Sequence, residues 1–524
     1  MIFGSSSVSR ISSEASRTAD RASRFACSPQ AIGLASVILI VSILQQVIGH
    51  QNFDNGWLFT VAERVLDGAE PYVDFIESNP PASFLIYMPA VALARLLGTS
   101  VEFMVCACLF AGCLGVILFS GRILRRADLL NPAEAGVLLN MSVFVMLFVP
   151  GIQFAQREHI AILCLMPLLA IYAARAQAGY CSRMDAVAAG LMAGIAISIK
   201  LHFALAALVP LFLVVVRRRS PGPLFKAENW AILCVVFAYA ALVVLLCPGF
   251  LNILPMLLDV YVPLKQPLEE LVLQPTFFTS VVIVCGVLLA QRKGRSSIMV
   301  AMSLCASVAF MGAYLVQGKG FPNHPLPCVG FALLAASALA APAIAALLRK
   351  GDEAPEWRAQ RWLILFAFVP MMAAGSYFCG VTFQFMGWEE HPGLRVAVQK
   401  LAPPHPRLLA ASTLFHVGHP VVRQVGGLWV GRPNGLWITE GAQDMIDIGI
   451  GDDAYRARLA TYIDRDARML LEDVRGQKPD IILSDIYRGT AKAMRHPDII
   501  AALVDYDQLE KVGDIMIWRR KPSP

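Results

Sequence analysis

Four short polar clusters interrupt an otherwise apolar chain, and their side chains are those of proton and phosphate chemistry. The first is Asp54, in Asn52-Phe53-Asp54-Asn55-Gly56-Trp57. A carboxylate there can take the proton of an attacking hydroxyl, or hold a divalent cation such as Mg or Mn on a phosphate. Taken alone, it equally suits the N-cap of the helix that follows. The second cluster is Arg157-Glu158-His159. Arg157 can bind a phosphate bidentately, Glu158 can assist as a second carboxylate or metal ligand, and His159 can donate to a leaving phosphate. The third is Lys200 with His202. The fourth is Lys319 with His324, where glycines beside the lysine let backbone approach an anion. Each cation could instead be an interfacial anchor.

These clusters need a scaffold, and the composition names its kind. Of 524 residues, 57% are hydrophobic and 16% charged, against about 25% charged in an ordinary soluble protein. Apolar runs recur at 31–48, 101–120, 134–150, 159–174, 185–199, 202–216, 229–248, 276–291, 297–315, 325–347 and 361–381. Arg and Lys gather in the turns between them: at 10–24, 122–126, 175–183, 217–219, 292–295 and 349–358. Eleven crossings from a cytoplasmic N-terminus put every basic group inside. The segments 49–100, 151–158, 200–202, 249–275, 316–324 and 382–524 then share the outer face, and all four polar clusters lie in or beside them. This requires the apolar segment 82–98, with Pro89 and Arg95 inside it and Pro80-Pro81 before it, to stay in the outer leaflet as an interfacial or re-entrant helix. As an ordinary span it would put one basic group on the wrong side.

The expectation is therefore an α-helical polytopic membrane protein of about 11 spans plus interfacial helices, with a small C-terminal α/β extracytoplasmic domain. Residues 1–30 read as a disordered cytoplasmic leader before a retained first helix, 31–381 as the transmembrane unit with outer loop 49–100, and 385–524 as the α/β domain. In that domain strands are expected at 407–412, 480–483 and 514–518, and a helix at 453–474. Most cysteines sit inside apolar runs and read as small hydrophobes. The net charge of +6 comes from topology-setting clusters and points to no nucleic acid.

The outer loop carries a resemblance. An early Asp, then Gly56-Trp57, the amphipathic run 61–75 (VAERVLDGAEPYVDF) and Pro80-Pro81 before an apolar helix resemble the GT-C glycosyltransferases. These include the dolichyl-phosphate-mannose protein mannosyltransferases and the lipid A aminoarabinose transferases. Where many relatives have Lys before the Pro-Pro pair, this chain has Asn79. The resemblance implies a polyprenyl-phosphate-type sugar donor, used at the outer face of a bacterial inner membrane. It implies a cell-envelope glycan, lipid or protein acceptor, an inverting transfer, and Asp54 as general base. Arg157, His159, Lys200, His202, Lys319 and His324 are the candidate phosphate ligands. Glu158 is the second candidate catalytic carboxylate, and Tyr72, Asp74 and Glu77 the expected supports of the loop. The rival readings are a transporter or flippase for a lipid-linked anion and an O-antigen ligase or polymerase-like enzyme.

Overall fold

The computed structural model describes residues 29–49, 52–291, 297–349, 391, 393–414, 416–485 and 497–522. The expected leader, up to residue 28, and the expected span 361–381 lie outside the described residues.

The described chain is a helical membrane bundle with a small sheet unit at its C-terminal end. Helix α1 (Pro29–Ile48) leads into the loop helices α2 (Phe53–Leu66), α3 (Ala82–Leu85) and α4 (Met88–Leu97). The bundle continues with α5 (Val101–Arg126), α6 (Pro132–Val143), α7 (Arg157–Ala176), α8 (Arg183–Ile199), α9 (Leu205–Arg218) and α10 (Ala227–Leu246). After α11 (Pro248–Met256) a π-helical turn, Leu257–Tyr261, opens a segment we call the strap, residues 257–266. Then come α12 (Leu268–Leu273), α13 (Pro275–Gln291), α14 (Ile298–Gln317) and α15 (Leu326–Arg349). Among the described residues, seven helices are long and apolar enough to cross a membrane. The expected spans at 134–150, 185–199 and 276–291 are helical but shorter.

Helix α7 occupies the centre of the bundle, in contact with α5, α8, α9, α14 and α15. Helices α8 and α10 approach closely because Gly190 and Gly194 lie four apart on one face of α8. A Cβ on Gly194 would meet Val235 at 2.6 Å, and one on Gly190 would meet Ala231 at 2.8 Å. Apolar helices in lipid associate by such close packing of small residues.

Two ends of the bundle are chemically distinct. At one end Arg122 and Arg126 of α5 bind Asp185 at the start of α8. Nearby, Arg175 at the end of α7 binds Glu228 at the start of α10 at 3.0 Å. At the other end Gln156 reaches Asn52 (2.6 Å), Lys200 reaches Glu158 (2.5 Å) and Asn323 reaches Glu158 (2.9 Å). The segments expected to share one face therefore do meet at one end.

The segment 82–98 keeps to that end. It is broken after Leu85, and Tyr87 donates to the Ala155 carbonyl beside the start of α7 at 2.7 Å. Its far end is held by Arg95, which binds Asp67 at 2.7 Å. Helix α5 starts directly after it and runs to the opposite, arginine-rich end. Both ends of the segment thus lie at one level of the bundle, as an interfacial helix requires.

The C-terminal unit comprises α16 (Leu394–Leu401), β1 (Arg407–Ala411), α17 (Val421–Gln424), β2 (Leu428–Trp429), α18 (Trp437–Asp447), α19 (Asp453–Gln477), β3 (Ile481–Ser484), α20 (Pro497–Ala502), β4 (Tyr506–Val512) and β5 (Ile515–Arg520). The strand order is β2-β1-β3-β5-β4. β1 pairs in parallel with β2 and β3, while β5 pairs antiparallel with β3 and β4. The unit docks on the first loop. Arg423 binds Glu63 (2.6 Å) and Glu102 (2.5 Å), and the Ile76 N–H donates to the Arg432 carbonyl at 2.9 Å. His419 is fully buried between Trp57 and Trp429 and reaches Thr60 at 3.2 Å. Burial, with the charge of Arg423, pushes its pKa down to about 3, so it packs as a neutral ring.

Candidate active site

Between the polar end of the bundle and the C-terminal unit lies a cavity of about 970 Å³. Asp54, Arg157, Lys200, Lys319 and His324 all line it, with Glu77 and Asn79 from the first loop. The far wall is the C-terminal unit, through residues such as Thr413, Asn434, Trp437 and Asp466.

Asp54 sits in the first turn of α2, but it is not the cap. The N-cap is Asn52, in extended backbone, whose side chain accepts from the Asp54 N–H at 2.9 Å. The Asp54 carboxylate is therefore left to the cavity, where it pairs with Arg157 Nη2 at 2.5 Å and stays about one quarter exposed. Arg157 is buried, and its Nε and Nη1 have no hydrogen-bond partner. Buried polar groups in native proteins are paired almost without exception. A buried guanidinium with unused donors, on a residue that lines a cavity, is a site for an anion.

Glu158 lies one layer behind. It is 1% exposed, does not line the cavity, and spends both oxygens on its neighbours. Oε1 accepts from Lys200, and Oε2 accepts from Asn323. This corrects the expectation of a second catalytic carboxylate. Glu158 holds Lys200, Asn323 and His324 in place, the last at 3.8 Å. Lys200 Nζ also stands 3.3 Å from His324 Nε2. An ammonium only donates, so Nε2 accepts and the imidazole proton resides on Nδ1. Burial and the Lys200 charge hold the His324 pKa well below its ordinary value, so the ring is neutral. Its Nδ1–H is buried without a partner, a second idle donor at the cavity wall.

Three expected phosphate ligands are placed otherwise. His159 is fully buried and outside the cavity lining. Its Nδ1 accepts from the Ala155 N–H (3.3 Å) and its Nε2 donates to the Met146 carbonyl (2.8 Å), which fixes the turn before α7. His202 faces Gln317 at 2.5 Å and does not line the cavity either. Lys319 lines it, but its ammonium is spent on the carbonyls of Tyr261 and Leu264 and lies 4.0 Å from the centre of the Tyr261 ring. It latches the strap. Burial first, and the charge of Lys265 second, lower its pKa to about 8.

The three loop residues are engaged in hydrogen bonds within the loop. Tyr72, at φ 64°, donates to the Asn79 carbonyl at 2.6 Å. Asp74 accepts from the Glu70 N–H at 2.7 Å. Glu77 is buried at the cavity wall and accepts from the Trp57 indole (2.5 Å) and from both the N–H and the side-chain amide of Asn79. Among the described residues no three His, Cys, Asp or Glu side chains converge to hold a metal ion. Asp54 is paired with Arg157, and Glu158 with Lys200.

The sequence leads to the C-terminal domain shaping the acceptor side, but these wall residues carry no local motif that singles them out. Asp466 shows what the signal would have been: it interrupts the apolar face of α19, between Leu459, Ile463 and Leu470. It is buried, and Thr439 donates to it at 2.9 Å. Burial pushes its pKa up to about 6. A carboxyl raised above its unfolded value of 3.8 takes up a proton on folding. Stability should thus fall as pH rises from about 4 to about 6, by on the order of 3 kcal/mol, and remain at that lower level above. Asp466→Asn keeps an acceptor for Thr439 and is expected to abolish that slope and raise the melting temperature at pH 7. Thermal unfolding at several pH values checks this.

No family model matches the chain, and no curated protein matches it. Solved structures do. ArnT from Cupriavidus metallidurans, crystallised bound to undecaprenyl phosphate, superposes with a TM-score of 0.55 at 14% identity, over 94% of this chain and 98% of that one. The same protein in the apo state gives 0.54 at 14% identity, over 93% and 97%. The match spans bundle, loop helices and C-terminal unit together, so the chain has the fold of that ArnT.

Proposed function

We propose that this chain transfers a sugar from a polyprenyl-phosphate donor to an acceptor hydroxyl, at the face of the membrane that carries the C-terminal unit. The observation that carries the reading is Arg157: buried on the cavity wall, two donors idle, beside a carboxylate that capping does not use. The donor phosphate would displace Asp54 from Nη2 and take the Nε–Nη2 edge of Arg157 as a two-pronged contact. Asp54 would then accept the proton of the acceptor hydroxyl as its oxygen attacks the anomeric carbon from the side opposite the phosphate. The bond between that carbon and the phosphate oxygen breaks, and the polyprenyl phosphate leaves with the electron pair. Arg157, Lys200 and the His324 Nδ1–H would offset the charge that grows on it. The attack inverts the anomeric centre. The bundle offers apolar surface for the polyprenyl tail, and the arginine-rich end would face the cytoplasm.

The fold likeness supports the donor class, since that ArnT structure holds undecaprenyl phosphate. The test is sugar transfer in proteoliposomes carrying, in turn, polyprenyl-phosphate and polyprenyl-diphosphate sugars. Transfer from the monophosphate donors to a hydroxyl acceptor is expected. Vectorial movement of an intact donor without transfer would replace this reading with the transporter.

A further inference from the structure

A second surface, outside the cavity, has no role in the transfer chemistry. The turn after α18 reads Ile448-Gly449-Ile450-Gly451 and leaves Ile448 73% and Ile450 41% exposed. It is a fixed turn. Gly449 and Gly451 both take positive φ, at 74° and 75°. The Ile450 N–H donates to the Met445 carbonyl at 2.9 Å, Arg456 donates to the Gly451 carbonyl, and the Tyr455 ring fills the space where a Gly451 side chain would stand. Two large aliphatic side chains held outward on a rigid turn are costly in water.

The turn abuts the strap. Tyr455 donates to the Asp259 carbonyl at 2.5 Å, and Tyr462 to the Asp259 carboxylate at 2.8 Å. Gly441, on the helix that leads into the turn, packs on Leu264 and Val260. The strap itself exposes Leu258 and Val262. Before the strap, the chain comes from α10, a candidate membrane span whose last residue, Leu246, is exposed. After it, the chain passes through α12, where Leu273 is exposed and the Leu271 carbonyl accepts from Tyr314 near the end of α14, another candidate span. Exposed apolar side chains thus recur along the chain from two candidate membrane spans, over the strap, to the turn that packs beside it on the C-terminal unit.

We infer that the bilayer itself covers this surface: the turn 448–450 inserts into the interfacial layer of the membrane beside the strap. The occupant follows from that placement, since the strap is joined on both sides to candidate membrane spans and the turn packs beside it. Isolated exposed apolar residues are common, but a group of them beside candidate spanning helices marks a membrane contact. The C-terminal unit is then held at two points. Arg423 pins it to the first loop, and the isoleucine turn rests on lipid.

The test uses the full chain in liposomes of phosphatidylethanolamine and phosphatidylglycerol, with the photoreactive p-benzoylphenylalanine replacing Ile448 or, separately, Ile450. The same residue at Leu246 is the lipid-facing reference, and at Leu509 on β4 the aqueous one. Mass spectrometry after irradiation should find phospholipid adducts at 448 and 450 at least about tenfold above position 509 and comparable to 246. Adduct yields at both turn positions no higher than at 509, or a crosslink joining two copies of the chain, would overturn the inference.

Discussion

Asp54→Asn should lose sugar transfer by about 10³-fold, the scale of a general base, while the donor still binds. The substitution keeps shape and volume. Asn52 supplies the cap of α2, so the helix does not depend on the Asp54 carboxylate. An amide oxygen can still accept from Arg157, so the buried guanidinium keeps a partner. What disappears is the capacity to take a proton. Turnover and donor affinity should therefore separate: kcat falls, and the KM for donor stays level or drops, because Arg157 no longer has to leave an ionised partner. A variant that transfers normally would remove Asp54 from the mechanism. One that fails to reach the membrane would instead show that the Asp54–Arg157 pair holds the fold, and Asp54→Glu then separates the two roles by retaining the charge.

Arg157→Ala should act on the other parameter. Two charge-assisted hydrogen bonds to a phosphate, at about 1.5 kcal/mol each, correspond to roughly 10²-fold in donor affinity. The KM for donor should rise by at least that factor. Arg157→Lys should recover little, because a point charge cannot reproduce a two-pronged contact. Lys200 and His324 remain on the cavity wall in these variants and keep a residual anion site. Removing Lys200 is a different experiment, since it strands Glu158 as a buried unpaired carboxylate and should cost stability first.

The architecture was legible in the sequence because length and charge bias are properties of whole segments. Apolar runs and arginine clusters located the helices and the polar end, and Pro80-Pro81 with Arg95 marked the segment that stays on one level. The site was legible only in part, for a geometric reason. Consecutive residues on a helix point about 100° apart, so Arg157, Glu158 and His159 cannot share one cavity face. Arg157 faces the cavity, Glu158 lies behind it and His159 turns to the backbone of Met146. Type and proximity nominated all three; the helix admits one. Lys319 was read as a phosphate ligand from its charge and its glycines, yet carbonyls of the strap, more than fifty residues earlier in the chain, use its donors. The individual residues of the C-terminal wall escaped notice because they are spread along the tail without local spacing. Only the fold of β1, α18 and α19 brings Thr413, Asn434 and Asp466 to one surface.

The central claim is that a lipid phosphate rests on the guanidinium of Arg157, next to Asp54. Its most direct measurement is retention of the sugar-free carrier, polyprenyl phosphate, by the purified chain in native mass spectrometry. The account predicts one carrier per chain for the parent protein and for Asp54→Asn, and loss of that species for Arg157→Ala. Equal retention by all three, or no retention by the parent, would contradict it.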